Sequence, residues 1–239
     1  MKRKDDTEFL LKKAEEICIS LESGYTKCLN EKNIDDKEFK LNILFLLVCL
    51  RSTLDYLSKD VCDEYSIVLL AEKHKNFPIC DSSKKKFDNW DMVKELKEKN
   101  KDLYEYLLSL QPIDNNPKTL KYLKDLVNNN KHDSLTPHAI KPEVGIEIGG
   151  IRIKSLTVGY GGRFVDKNGN DLVKTHETIN NESVNGLKQK GKINESFSKT
   201  QWDEIYFRNI DEKNAITLLK DMTHQVKVIK EKIHGFLSE

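Results

Sequence analysis

The chain has 239 residues, 38% hydrophobic and 33% charged, with 40 Lys and Arg against 39 Asp and Glu and a net charge of +1. That balance excludes a global electrostatic pull onto nucleic acid or membrane, so any such binding has to come from a local patch. The length allows one large or two small domains, and the apolar residues are gathered in runs dense enough for a core.

Five cysteines, at 18, 28, 49, 62 and 80, include no Cys-x-x-Cys pair, and the six histidines are scattered. Clustered metal ligands are missing, so no metal or cofactor is expected. Cys18, Cys49 and Cys62 lie in helical apolar patterns, where a free thiol acts as a small hydrophobe, which suits a reducing cytoplasm. The charged start, Met1-Lys-Arg-Lys-Asp-Asp, leads into an amphipathic helix and not an apolar signal core.

Residues 7–28 read as a helix with Leu10, Ala14, Ile17, Cys18 and Leu21 on one side, weakened near Gly24. Asp35 or Asp36 can cap the next helix, expected over 36–72. Its first half, from Phe39 to Leu50, leaves almost no polar face and is predicted to be surrounded by other helices. The apolar stretch from Leu41 to Leu50, closed by Arg51, is about half the ~20 residues a bilayer requires, which predicts a buried core helix and no membrane span. Phe77-Pro-Ile ends that region. A third helix is expected over 88–110, and a fourth from Pro117 that dissolves in Asn128-Asn-Asn-Lys-His132. The period then turns to alternation, with one hairpin about Gly149-Gly150 and a second about Asn168-Gly169. Residues 176–201 read as loop with a short strand, 204–208 as a further strand, and 211–237 as a last helix returning to the bundle.

Two polar features stand out. Arg51 and Asp55 are four residues apart on the apolar stripe of the second helix. They form either an internal salt bridge that sets register, or an anion-binding arginine oriented by its carboxylate. Asn128, Lys131 and His132 close the fourth helix. They are either a frayed end with cations against the helix dipole, or a general acid or base with a phosphate-neutralising partner. An ideal projection turns Asn130, not His132, toward the apolar side, so the regular helix must stop for His132 to face the bundle.

Leu50-Arg-Ser-Thr-Leu-Asp-Tyr-Leu57, Phe77-Pro-Ile79, Leu110-Gln-Pro112 and Leu126 through Asn128-x-x-Lys131-His132 together resemble a group of bacterial and phage proteins. These look like divergent members of the HEPN superfamily, helical domains tied to RNA cleavage or RNA binding in defence and toxin systems. The resemblance covers about residues 37–138. It implies His132 as base or acid, Arg51 and Lys131 as phosphate clamps, and Asp55 and Asn128 as orienting groups. HEPN domains commonly pair, so it also implies a homodimer. The chain departs from the family pattern, Arg then four to six residues then His: Lys124, Asp125, Leu126 and Val127 stand where that Arg belongs, and Asp133 follows His132. Either Arg51 supplies the cation, or the domain has lost cleavage and keeps binding or a structural role.

Weaker patterns are Gly159-Tyr-Gly-Gly162, read as a turn, and Lys84-Lys85-Lys86 with Phe87 and Trp90, read as a solvated loop or an RNA contact through charge and stacking. His224 and His234 are expected on the helix surface. The expectation is therefore a mainly α, HEPN-like bundle of residues 1–140 and 209–239, with a β-hairpin-rich insertion over 141–208. It would bind RNA or cleave it weakly without metal; the alternative is a non-catalytic interaction or scaffold module that dimerises or neutralises a partner protein.

Overall fold

In a computed structural model the described residues are 2–33, 36–70, 75–113, 118–132, 138–148, 151–153, 156–157, 178–179, 197–207, 210 and 213–238. They are mainly helical: α1 (Lys4–Glu31), α2 (Lys37–Glu64), α3 (Lys84–Phe87), α4 (Asp91–Lys99), α5 (Lys101–Ser109), α6 (Thr119–His132) and α7 (Ala215–Phe236). Two compact units emerge, residues 1–139 with 205–239, and residues 140–204. Every one of these helices lies in the first.

The apolar run of α2 makes it the central element, packed against α1, α6 and α7. Asp36 starts it, its carboxylate accepting the Phe39 N–H at 2.8 Å. Ile43, Leu46, Leu47, Leu50, Leu54, Leu57 and Val61 form its buried side, at helical spacing. The other side of the first half is not surrounded as expected: Leu41, Phe45 and Val48 are 42%, 49% and 45% exposed. Three neighbouring helices cover only part of α2. With 28 residues, α2 is long and apolar enough by length and composition to cross a membrane, and 44% of its most apolar stretch is buried inside the protein.

The helix stops at Glu64, short of the expected 72. Ser66 takes a left-handed conformation (φ 51), and the Ile67 N–H reaches back to the Cys62 carbonyl at 2.8 Å, closing the last turn. This is a Schellman-type ending with serine where glycine usually stands, which is why no breaker was visible.

Gly24 does not weaken α1, which continues to Glu31. A Cβ at Gly24 would stand 3.0 Å from Cδ2 of Phe39, so glycine allows α1 and α2 to approach closely. The single helix expected over 88–110 is two helices, α4 and α5. Asn100 interrupts it: its side chain accepts the Leu103 N–H at 2.9 Å, and its amide nitrogen donates to the Tyr65 hydroxyl at 2.7 Å. An Asn that bonds its own following backbone favours a cap over helix continuation.

The strands are β1 (His138–Ile148), β2 (Ile151–Ile153), β3 (Leu156–Thr157), β4 (Thr178–Ile179) and β5 (Phe197–Phe207). One sheet has the order β2-β1-β5, and β3 pairs with β4 in another. β1 and β2 are antiparallel, with Ile148 opposite Ile151 and Ile146 opposite Ile153. β5 begins at Phe197, earlier than the strand expected at 204, whereas the hairpin expected about Asn168-Gly169 lies outside the described residues.

Candidate functional site

Arg51 and Asp55 are joined on α2, Nη2 to Oδ1 at 3.0 Å and Nε to Oδ2 at 3.3 Å, with their side chains 16% and 21% exposed. They also hold a second segment. Arg51 Nη2 donates to the Phe77 carbonyl at 3.2 Å, while Asp55 Oδ1 accepts the Phe77 N–H at 2.8 Å. Both backbone groups of Phe77 are thus satisfied by one ion pair. The buried Gln111 extends the clamp: Oε1 accepts the Cys80 N–H at 2.8 Å, and Nε2 donates to the carbonyls of Pro78 at 3.2 Å and Leu107 at 2.8 Å. Three stretches singled out in the sequence, around Arg51, Phe77 and Gln111, are parts of one polar device that straps residues 77–80 to the helices.

The strap forms one wall of a cavity of about 260 Å³. Arg51 and Asp55 enter it from α2, Lys124, Val127 and Asn128 from α6, Asn76, Phe77 and Ile79 from the strap, and Trp90 from the residue before α4. Arg51 therefore has the ion pair of its first reading and a place on a cavity. Its Nη1 has no hydrogen bond among the described residues.

Lys124 pairs with Asp81 at 3.3 Å. Burial opposes ionisation of Asp81, but the charge and hydrogen bond of Lys124 outweigh it and hold the carboxyl below its usual value. Lys124 was visible in the sequence only as a replacement for a missing arginine. The cavity it shares with Arg51 joins two cations on different helices; the four-residue step in the sequence places Lys124 and Asn128 on one face of α6 but carries no signal of Arg51.

The helix α6 does not dissolve at Asn128 but stays regular to His132, so the break that would turn His132 toward the bundle does not occur. Its backbone register places residue 132 one further four-residue step along the face that carries Lys124 and Asn128. The side chains of Lys131 and His132 lie outside the described residues.

The basic run is a short helix and not a loop. Ser83 caps it by accepting the Lys86 N–H at 3.3 Å, Lys84 lies over the Tyr104 ring at 5.9 Å, and Phe87 is buried beside Tyr104 with centroids 6.2 Å apart. Phe87 belongs to the core; the half-buried Trp90 is the aromatic that reaches a cavity. His234 is also not on the surface: it is half-buried, with Nε2 lacking a hydrogen-bond partner among the described residues. Gly159–Gly162 lies outside those residues. Among them, no group of three or more His, Cys, Asp or Glu is placed to hold a metal ion.

Comparison with protein-family models, curated proteins and solved structures finds no match. The chemistry of the cavity therefore carries the functional reading.

Proposed function

We propose that the protein is a HEPN-like helical bundle, formed by residues 1–140 and 209–239 with a β-hairpin-rich insertion over 141–208, that binds RNA or cleaves it weakly without metal. One observation carries the reading: Arg51 from α2 and Lys124 with Asn128 from α6 line the same cavity. Guanidinium and ammonium suit phosphate oxygens, here the first through its remaining Nη1 and the second as a point charge. His132, one four-residue step beyond Asn128 on α6, is the base that takes the 2′-hydroxyl proton or the acid that protonates the leaving 5′-oxygen, with Lys131 as a further cation. Asp55 and Asn128 orient these groups. The setting is cytoplasmic, in host defence or a mobile element.

Titration of labelled single-stranded RNA tests it. Wild type binds with an affinity that falls as salt rises, and Lys124→Ala and Asn128→Ala both weaken it. In EDTA, wild type fragments RNA and His132→Ala does not. Binding without fragmentation leaves a recognition domain, and absence of binding overturns the reading.

A second reading, an interaction module that pairs with another copy, is favoured by the exposed row of Leu41, Phe45 and Val48 on α2. Sedimentation of wild type against Phe45→Glu tests it: an unchanged mass removes it.

A further inference from the structure

Trp90 borders a second cavity, of about 440 Å³, that shares Ile79, Trp90 and Lys124 with the first. Size separates their uses. The first, at about 260 Å³, falls below the roughly 300–1,000 Å³ of small-molecule sites, whereas the second lies within it. The first is lined by two cations, Arg51 and Lys124, whose charge suits a phosphate group. The second adds Ser82, Lys86 and Asn89, a hydroxyl, an ammonium and an amide, to a lining that includes the indole. Lys86 has no ion pair among the described residues, while Asp81, the carboxylate on this wall, is occupied by Lys124.

We propose that the second cavity receives a nucleobase of single-stranded RNA, stacked on Trp90, with its backbone passing Lys124 toward Arg51. This rests on the RNA reading of the first cavity and names its substrate class. An aromatic face accepts any base, and amide and hydroxyl groups beside it can bond base edges. A base locked in a duplex cannot enter, so the site selects unpaired RNA. The arrangement leaves Arg51 free of the stacking role and gives Lys124 a place between base and phosphate.

The chain has two tryptophans, so Trp202→Phe leaves Trp90 as the reporter. Three probes are titrated: a single-stranded RNA of about 12 nucleotides, the same length of abasic RNA, and a duplex. Single-stranded RNA is expected to quench Trp90 fluorescence, whereas abasic RNA and duplex leave it unchanged. Trp90→Ala should weaken binding of single-stranded RNA by about 5- to 150-fold, spare the abasic probe, and be largely rescued by Trp90→Phe. Equal affinity of Trp90→Ala and wild type, with Lys124→Ala still impaired, overturns the base site and leaves the RNA reading standing. No binding of single-stranded RNA by wild type overturns both. Should Trp90→Ala fail to fold, quenching in the Trp202→Phe protein and the affinity of Asn89→Ala decide: no quenching and no loss reject the base site.

Discussion

Arg51 and Asp55, one turn apart on α2, grip the two backbone groups of a single residue, Phe77: the guanidinium takes its carbonyl at 3.2 Å and the carboxylate its amide at 2.8 Å. An ion pair that also satisfies a strap is costly to break from one side, because the remaining partner stays partly desolvated. Arg51→Ala should therefore destabilise the fold by about 2 kcal/mol, within the range for hydrogen bonds to charged groups. Lys124→Ala, whose pair with Asp81 is more exposed, should cost under about 1 kcal/mol. Urea denaturation of both variants measures the difference, and equal losses would contradict the heavier structural load that Arg51 carries through Phe77.

Gln111→Ala removes the acceptor of the buried Cys80 N–H and the donor to Pro78 together. An orphaned buried amide costs about 1–3 kcal/mol. The strap should loosen as well, so amide exchange at Ile79 and Cys80 should accelerate more than exchange in the core of α2. Uniform acceleration would show that Gln111 supports the whole bundle and not the strap.

At Gly24, two effects compete. Alanine improves helix propensity by about 1 kcal/mol, but its Cβ would stand 3.0 Å from the ring of Phe39, which is buried. Overpacking a close helix contact costs about 1–3 kcal/mol. Gly24→Ala should thus lower stability by about 1 kcal/mol, and a higher melting temperature would show that the ring has room to move.

Burial, reinforced by the charge of Lys230, holds the His234 imidazole below its ordinary value of 6.5, against the opposing pull of Asp60 and Glu8. The unfolded chain then binds the proton more readily than the folded one. Stability contributed by the neutral ring is complete above about pH 6.5 and is lost as pH falls from there through the lower folded value. His234→Leu should flatten this part of the profile. Comparing urea midpoints at about pH 7.5 and about pH 5.5 checks it, since a slope that survives the substitution cannot come from His234.

Aspartate at 36 before an apolar run, alternation after residue 143 and the spacing of Leu50, Leu54 and Leu57 each act over a few residues, so the helices and their buried faces were legible in the sequence. Helix ends were less so: Ser66 closes α2 without a glycine, and Asn100 divides α4 from α5 through bonds to Leu103 and to the distant Tyr65. Arg51, Asp55 and Asn128 could be picked out as polar residues in apolar or terminal positions. Their shared cavity with Lys124 and Trp90 could not, because those residues are separated by as many as 77 positions along the chain (51 to 128) and meet only when the strap at 77–80 is drawn against α2 and α6. Periodicity is a local property of a chain and composition sets its solvation, so the sequence by itself determined a helical core and a change to strands. Which cations face the same space depends on how helices pack, and only the tertiary structure decided that.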